Sequence, residues 1–315
     1  MACSSGGAGP PLPRRQSSLG GAGPPSPHIS SAASATQVCT GVDGSRARAV
    51  GVGDYDYGMP AGIAITRDVS AALGACELTH LARVPIDVEL ARAQHREYEQ
   101  ALRDAGYVVE HLESTADMPD SVFVEDIAVV FDELAIITRP GAASRRVETA
   151  AVAGALARHR TLHAIQAPGT VDGGDVLVAG KQVFVGLSTR TNDHAAVQMA
   201  RLLQPHGYKV REVVVHGCLH LKSAVTTLSD DLLLVNPAWI DRETFDGFML
   251  VEIDAEEPGA ANALRLDDRI LYSASFPRTA ARLERRGLRL ERIPASEVAK
   301  AEGAVTCCSL IVRQP

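Results

Sequence analysis

Four short hairpins recur along this chain, and their recurrence limits the fold more than any single propensity does. Apolar runs flank a polar two-residue turn in DIAVVFDELAII, GDVLVAGKQVFVG, SAVTTLSDDLLLV and NALRLDDRILYSA, the pattern of antiparallel strand pairs. The turn tips fall near Asp132, Gly180, Asp230 and Asp268, at spacings of 48, 50 and 38 residues. A period of this size marks a repeat architecture in which one supersecondary unit is copied.

After most hairpins the pattern continues with a helix and a further strand. In the second unit Asn192 caps a helix through Leu203, Gly207 stops it, and YKVREVVV follows as a strand. The fourth unit repeats the plan with PRTAARLERR, Gly287 and LRLERI. A fifth unit is divided between the two ends of the chain. CSLIV has no strand partner after it, whereas AGIAIT is a strand followed by a helix from about Asp87 to Ala105. Leu90, Ala91, Tyr98, Ala101, Leu102 and Ala105 form the apolar face of that helix, and Gly106 ends it. The fold class that follows is α/β: a five-bladed α/β propeller of ββαβ units with pseudo-fivefold symmetry, closed like a clasp.

The first 42 residues contain no Asp or Glu and are crowded with Gly, Pro, Ser and Ala. Such a segment cannot build a core, and its Pro and Gly break the amphipathic helix that an organelle signal needs. Residues 1–58 therefore read as a disordered leader and 59–315 as one catalytic domain. A formal net charge of −7 argues against nucleic acid and anionic membranes as partners. No apolar run reaches the ~20 residues that span a bilayer. The six cysteines, Cys3, Cys39, Cys76, Cys218, Cys307 and Cys308, include no C-x-x-C pair, which fits a reducing cytoplasm better than a secreted framework.

In a closed ring, equivalent positions face one centre. The reactive residues fall at the start of the first strand of their units: Glu125 and Asp126, then Asp172, His220 and Cys307. A cysteine, a histidine and a carboxylate supply a nucleophile, a general acid/base and its orienting partner whatever their order in the chain. A thiol titrating near ~8.5 needs positive charge beside it, and a cationic substrate would bring that charge. Asp120, Glu125 and Asp126 in MPDSVFVED suit a guanidinium. Arg145 and Arg190, in the loops after second strands, suit a carboxylate. Each residue also has a plainer reading. Cys307 alone fits a buried apolar residue, and Cys308, one step along a strand and facing the other way, reads as one. His220 fits a satisfied core histidine, Asp172 with Gly173 and Gly174 a tight bend, and the two arginines solvated helix starts.

The segments MPDSVFVEDIAVV, ITRPGAASRR, VDGGDVLVAGKQVFVGLSTRTN, LHLKS and EGAVTCCSL resemble the dimethylarginine dimethylaminohydrolases, members of the guanidino-group-modifying pentein superfamily. The resemblance runs from about Ala61 to Val312. It implies Cys307 as nucleophile, His220 as acid/base and Asp172 as the carboxylate orienting it. It also implies substrate contacts from Leu78, Asp120, Glu125, Asp126, Arg145, Arg190 and Ala301. The activity implied is hydrolysis of a small methylarginine to citrulline and a methylamine, with no metal or organic cofactor. In such enzymes zinc on the cysteine and histidine inhibits, and the sequence offers no third ligand. A homodimer is compatible with the chain. Arginine deiminases share the fold but carry a second acid two residues after the histidine, where this chain has Lys222. An amidinotransferase and a non-catalytic binder of arginine derivatives are the remaining alternatives.

Overall fold

The computed structural model describes residues 61–314, so the leader expected over residues 1–58 lies outside the described residues. In chain order the elements are β1 (Gly62–Arg67), α1 (Val88–Asp104), β2 (Tyr107–Leu112), β3 (Ala128–Val130), β4 (Leu134–Ile137), α2 (Thr149–Leu156) and β5 (Thr161–Ala164). There follow β6 (Val176–Ala179), β7 (Gln182–Leu187), α3 (Asp193–Leu203), β8 (Lys209–Val214), the one-turn α4 (Leu221–Ala224), β9 (Val225–Thr227), β10 (Leu232–Val235) and β11 (Met249–Glu252). The chain closes with β12 (Ala263–Leu266), β13 (Arg269–Ser273), α5 (Pro277–Glu284), β14 (Leu290–Ile293), the one-turn α6 (Ser296–Ala299) and β15 (Leu310–Arg313).

These strands make five separate three-stranded sheets, ordered β15-β1-β2, β3-β4-β5, β6-β7-β8, β9-β10-β11 and β12-β13-β14. In each, the middle strand pairs antiparallel with its hairpin partner and parallel with the strand beyond the crossover. The five-unit propeller read from the repeat is the observed architecture. The clasp is real: Ile63 pairs with Val312 and Ile65 with Leu310. Gly62 is required there, because a Cβ at that position would meet the Val312 carbonyl oxygen at 2.4 Å.

Five hydrophobic clusters hold the ring, and each joins two neighbouring blades. Ile65, Leu310 and Val312 pack with Ile127, Ala135 and Leu156, Ile136 with Val185 and Met199, and Phe184 with Leu233 and Phe245. Leu234 packs with Ile270 and Leu283, and Leu271 and Ile293 with Tyr98 and Leu102. Since burying an aliphatic side chain contributes ~1.5–3 kcal/mol, Leu310 and Val312 anchor the C-terminal strand through side chains as well as through its hydrogen bonds.

Three local expectations need correction. Helix α1 begins where predicted, with the Asp87 side chain accepting from Leu90 N, but Leu90 is 44% exposed. The buried face instead includes Gln94, His95 and Glu99, because this face meets a polar seam. Gln94 Nε2 donates to Ser296 Oγ at 2.8 Å, and Thr66 Oγ1 donates to Glu99 at 2.6 Å. The third hairpin turns through Ser229–Asp231 rather than two residues, Leu228 N and Ser229 N both bonding Leu232 O. The third crossover also lacks an α-helix. With Pro237 near its start and Gly247 near its end, it holds only the 3₁₀ turn Arg242–Phe245.

Candidate active site

The reactive residues are not on strands. They occupy helical turns just before each first strand: Val124–Ile127 before β3, Gly173–Asp175 preceded by Asp172 before β6, α4 preceded by His220 before β9, and Thr306–Cys308 before β15. A tight turn at the start of four of the five blades aims side chains toward one centre, which an extended strand would send to alternate faces. The ring thus brings Asp120, Asp126, Arg145, Arg190, His220, Ala301 and Cys307 around one pocket. Leu78, which packs beside the cluster that Cys307 borders, and Glu125 do not line that pocket.

His220 Nε2 lies 3.1 Å from Asp172 Oδ2, and its Nδ1 lies 3.7 Å from Asp126 Oδ1. Burial disfavours the imidazolium, but Asp126, Asp175 and the hydrogen-bonded Asp172 outweigh it and raise His220 to about 9. Asp172 is wholly buried, with Oδ1 accepting from Gly141 N at 2.9 Å and Arg190 Nη1 at 3.9 Å from Oδ2. Asp175, the second acid of VDGGDV, accepts from Leu221 N, Ser188 Oγ and Thr191 Oγ1. It thereby pins the turn that follows His220.

The two glycines of VDGGDV lie in a tight turn, but packing rather than the bend demands them. A Cβ on Gly173 would fall 1.9 Å from the Glu125 carbonyl oxygen, and one on Gly174 would fall 2.6 Å from His220 Nδ1. Close approach requires them, and the absent side chain lets Gly174 N donate to Asp126 Oδ1 at 3.0 Å.

Asp126 Oδ2 accepts from Arg145 Nη1 at 2.6 Å. Burial alone would raise the Asp126 carboxyl, yet His220 and Arg145 hold it below its ordinary value. Arg145 also donates from Nε and Nη2 to Glu148, and from Nη2 to the Asp120 and Phe123 carbonyls. Most of its fork is spent on the protein, leaving one Nη1 hydrogen unbonded among the described residues. Arg190 is freer, with Nη2 on Thr79 Oγ1 at 3.1 Å. Asp120, which accepts from Glu77 N through both oxygens, is raised by burial to about 6.

The Cys307 thiol is pushed well up by burial and then by the Glu125 and Asp126 carboxylates. Cys308 is raised to about 12, again by burial first, and packs in the cluster of Tyr98 and Val305. Glu125 is held by Lys222 Nζ at 2.6 Å and Thr306 Oγ1 at 2.7 Å. Sequence reasoning overlooked Asp175, Thr306 and Asn262. It also overlooked Glu302, whose carboxylate accepts from the backbone of Thr79, His80 and Leu81. Asn262 had a signal available: it stands immediately before β12, where the fourth blade should contribute its residue. The ligand atoms of Asp126, Asp172 and His220 lie within 4.8 Å of one another. Cys307 is not part of this grouping, so it adds no third ligand to a zinc on Cys307 and His220, and its carboxylates are already engaged by Arg145 and backbone amides.

Comparison with known proteins finds relatives of this chain and of its fold. The family model for eukaryotic N,N dimethylarginine dimethylhydrolase matches residues 82–256. The N(G),N(G)-dimethylarginine dimethylaminohydrolase of Streptomyces coelicolor is 40% identical over 258 residues, covering 81% of this chain and 99% of that protein. The protein of the same name from Pseudomonas aeruginosa is 37% identical over 226 residues, covering 71% and 89%. A cysteine-to-serine variant of the P. aeruginosa enzyme complexed with citrulline superposes with a TM-score of 0.75 at 34% identity, covering 79% of this chain and 98% of that one. The N-terminal domain of a cyanobacterial arginine dihydrolase shares the fold, with a TM-score of 0.73 at 18% identity over 81% and 99%. At 37–40% identity to two N(G),N(G)-dimethylarginine dimethylaminohydrolases over most of their length, the chain belongs to the dimethylarginine dimethylaminohydrolase family.

Proposed function

We propose that this protein hydrolyses Nω-methylated arginines to citrulline and methylamine or dimethylamine. The observation that carries the reading is the convergence of Cys307 and His220, from separate blades, on a pocket lined by Asp120 and Asp126, with the buried Asp172 of a third blade bonded to His220. The acids that raise the thiol have a use: they attract a guanidinium, and the bound cation then offsets their effect on Cys307. Asp120, Glu125 and Asp126 receive that end of the substrate. Arg190 and the remaining Nη1 hydrogen of Arg145 take the α-carboxylate, while Leu78 and Ala301 flank the chain between.

In the first half-reaction the Cys307 thiolate attacks the central guanidinium carbon. A carbon–sulfur bond forms, the bond to the methylated nitrogen breaks, and His220, protonated at neutral pH, gives its proton to the departing amine. Neutral His220 then takes a proton from water, whose oxygen attacks the same carbon. The carbon–sulfur bond breaks, releasing citrulline and returning the Cys307 thiolate. Asp172 orients the imidazole throughout and stabilises its charged form.

Incubation with asymmetric dimethylarginine should give citrulline and dimethylamine in equal amounts, while free arginine should react far more slowly. Equal rates on both would favour a deiminase, and no citrulline from either would overturn the assignment.

A further inference from the structure

Four of the five blades deliver a reactive residue to the axis, and the fourth blade delivers an amide. Asn262 is 4% exposed, and every polar atom of its side chain is engaged. Nδ2 donates to the Lys222 carbonyl at 3.0 Å and to Thr306 Oγ1 at 2.9 Å, while Oδ1 accepts from Thr306 N at 3.1 Å. Lys222 belongs to the turn that His220 opens, and Thr306 is the residue before Cys307. One side chain therefore ties the turn of the imidazole to the turn of the thiol. The Thr306 hydroxyl then passes its own hydrogen to Glu125 Oε2 at 2.7 Å, which links the chain of contacts to the first blade.

We propose that Asn262 is a positioning residue that sets the Cys307 thiol in register with His220 by bridging Lys222 O and Thr306. The inference rests on the reading of Cys307 as nucleophile and His220 as its acid/base. An amide suits the position because it must both donate and accept. Aspartate has the same shape but cannot donate to the Lys222 carbonyl, and it would draw the Thr306 hydroxyl away from Glu125. Alanine leaves the Thr306 N–H and the Lys222 carbonyl without their partner in a buried place.

The test compares full-length wild type with Asn262→Ala, Asn262→Asp, Thr306→Val and Thr306→Ser. Asn262→Ala and Thr306→Val should lower kcat for dimethylarginine by about ten- to a hundredfold, the scale of a small misplacement of reacting groups. KM should change less than about threefold, and Thr306→Ser should retain more activity than Thr306→Val. Alkylation of Cys307 by iodoacetamide, followed across pH by peptide mass, needs no substrate. Its profile should move to higher pH in Asn262→Asp, which adds a carboxylate beside the thiol's turn. The proposal falls if folded Asn262→Ala and Asn262→Asp keep kcat within about twofold of wild type and an unchanged alkylation profile. It falls equally if none of the variants melts cooperatively, because Asn262 is then a scaffold bond. If wild type releases no citrulline, the functional assignment fails separately, and the alkylation profiles still judge Asn262.

Discussion

His220 Nε2 sits 3.1 Å from Asp172 Oδ2, so a fully buried carboxylate is bonded directly to the imidazole that faces the thiol's pocket. Together with Asp126 and Asp175 it keeps that ring protonated up to about 9. Because the proposed first step requires the imidazolium beside a thiolate that the bound cation favours, kcat for dimethylarginine should show an alkaline limb set by His220. Asp172→Asn removes one of the charges responsible, and the alkaline limb should move to lower pH. An unmoved limb in a folded variant would show that Asp172 does not set this titration.

The same shift links folding to pH. The folded-state value for His220 lies above the ordinary ~6.5, so protonation favours the folded chain. That contribution is fully present below ~6.5 and is lost as pH rises through about 9. His220→Gln should therefore flatten the decline of urea-unfolding stability over this window. An equally steep decline in the variant would assign it to other groups.

Cys307 and Cys308 should separate cleanly by mutation. Cys307 lines the pocket, whereas Cys308 lies in the core beside Tyr98 and Val305 with its thiol raised to about 12. Cys307→Ser should abolish citrulline formation, and Cys308→Ser should keep most of it while lowering the melting temperature slightly. Loss of activity in Cys308→Ser with Cys307→Ser active would reverse the assignment.

The ring was legible because hairpin recurrence is a property of sequence: the turns at Gly180–Lys181 and Asp267–Asp268 stand where the alternation places them. Residue types at the axis were legible for the same reason. What sequence could not give was the partner of each side chain across blades. The Asn262–Thr306 and Lys222–Glu125 contacts join residues 44 and 97 positions apart, and no local pattern encodes them. Gly174 was visible as a glycine, but its purpose depends on His220 arriving from another blade. Leu90 misled because apolar periodicity assumes an apolar neighbour, and α1 meets Ser296 and Thr66 there.

Gly174→Ala tests that close approach. The new Cβ would stand 2.6 Å from His220 Nδ1 and 2.8 Å from Asp126 Oδ1, so the ring must shift away from its partner. Turnover should fall by about a hundredfold, as expected for reacting groups displaced by ~1 Å, while circular dichroism remains native. Wild-type turnover would mean that the blades yield enough to absorb a methyl group.

The two arginines should part company when each is replaced. Arg145 is buried between Asp126 and Glu148 and bonded to two backbone carbonyls. Removing one partner of such an arrangement costs ~3–5 kcal/mol, so Arg145→Ala should melt well below wild type. It should also lose turnover on methylguanidine, a substrate without a carboxylate, because Asp126 loses the cation that holds it. Arg190 makes one side-chain hydrogen bond, to Thr79, and borders the same pocket. Loss of a charge-assisted bond to the α-carboxylate, ~1.5–3 kcal/mol, should raise KM for methylarginine by about ten- to a hundredfold in Arg190→Ala, with little change on methylguanidine. If Arg145→Ala instead keeps its melting temperature and harms only the carboxylate-bearing substrate, its contacts with Asp126 and Glu148 are incidental and it binds the ligand as Arg190 does.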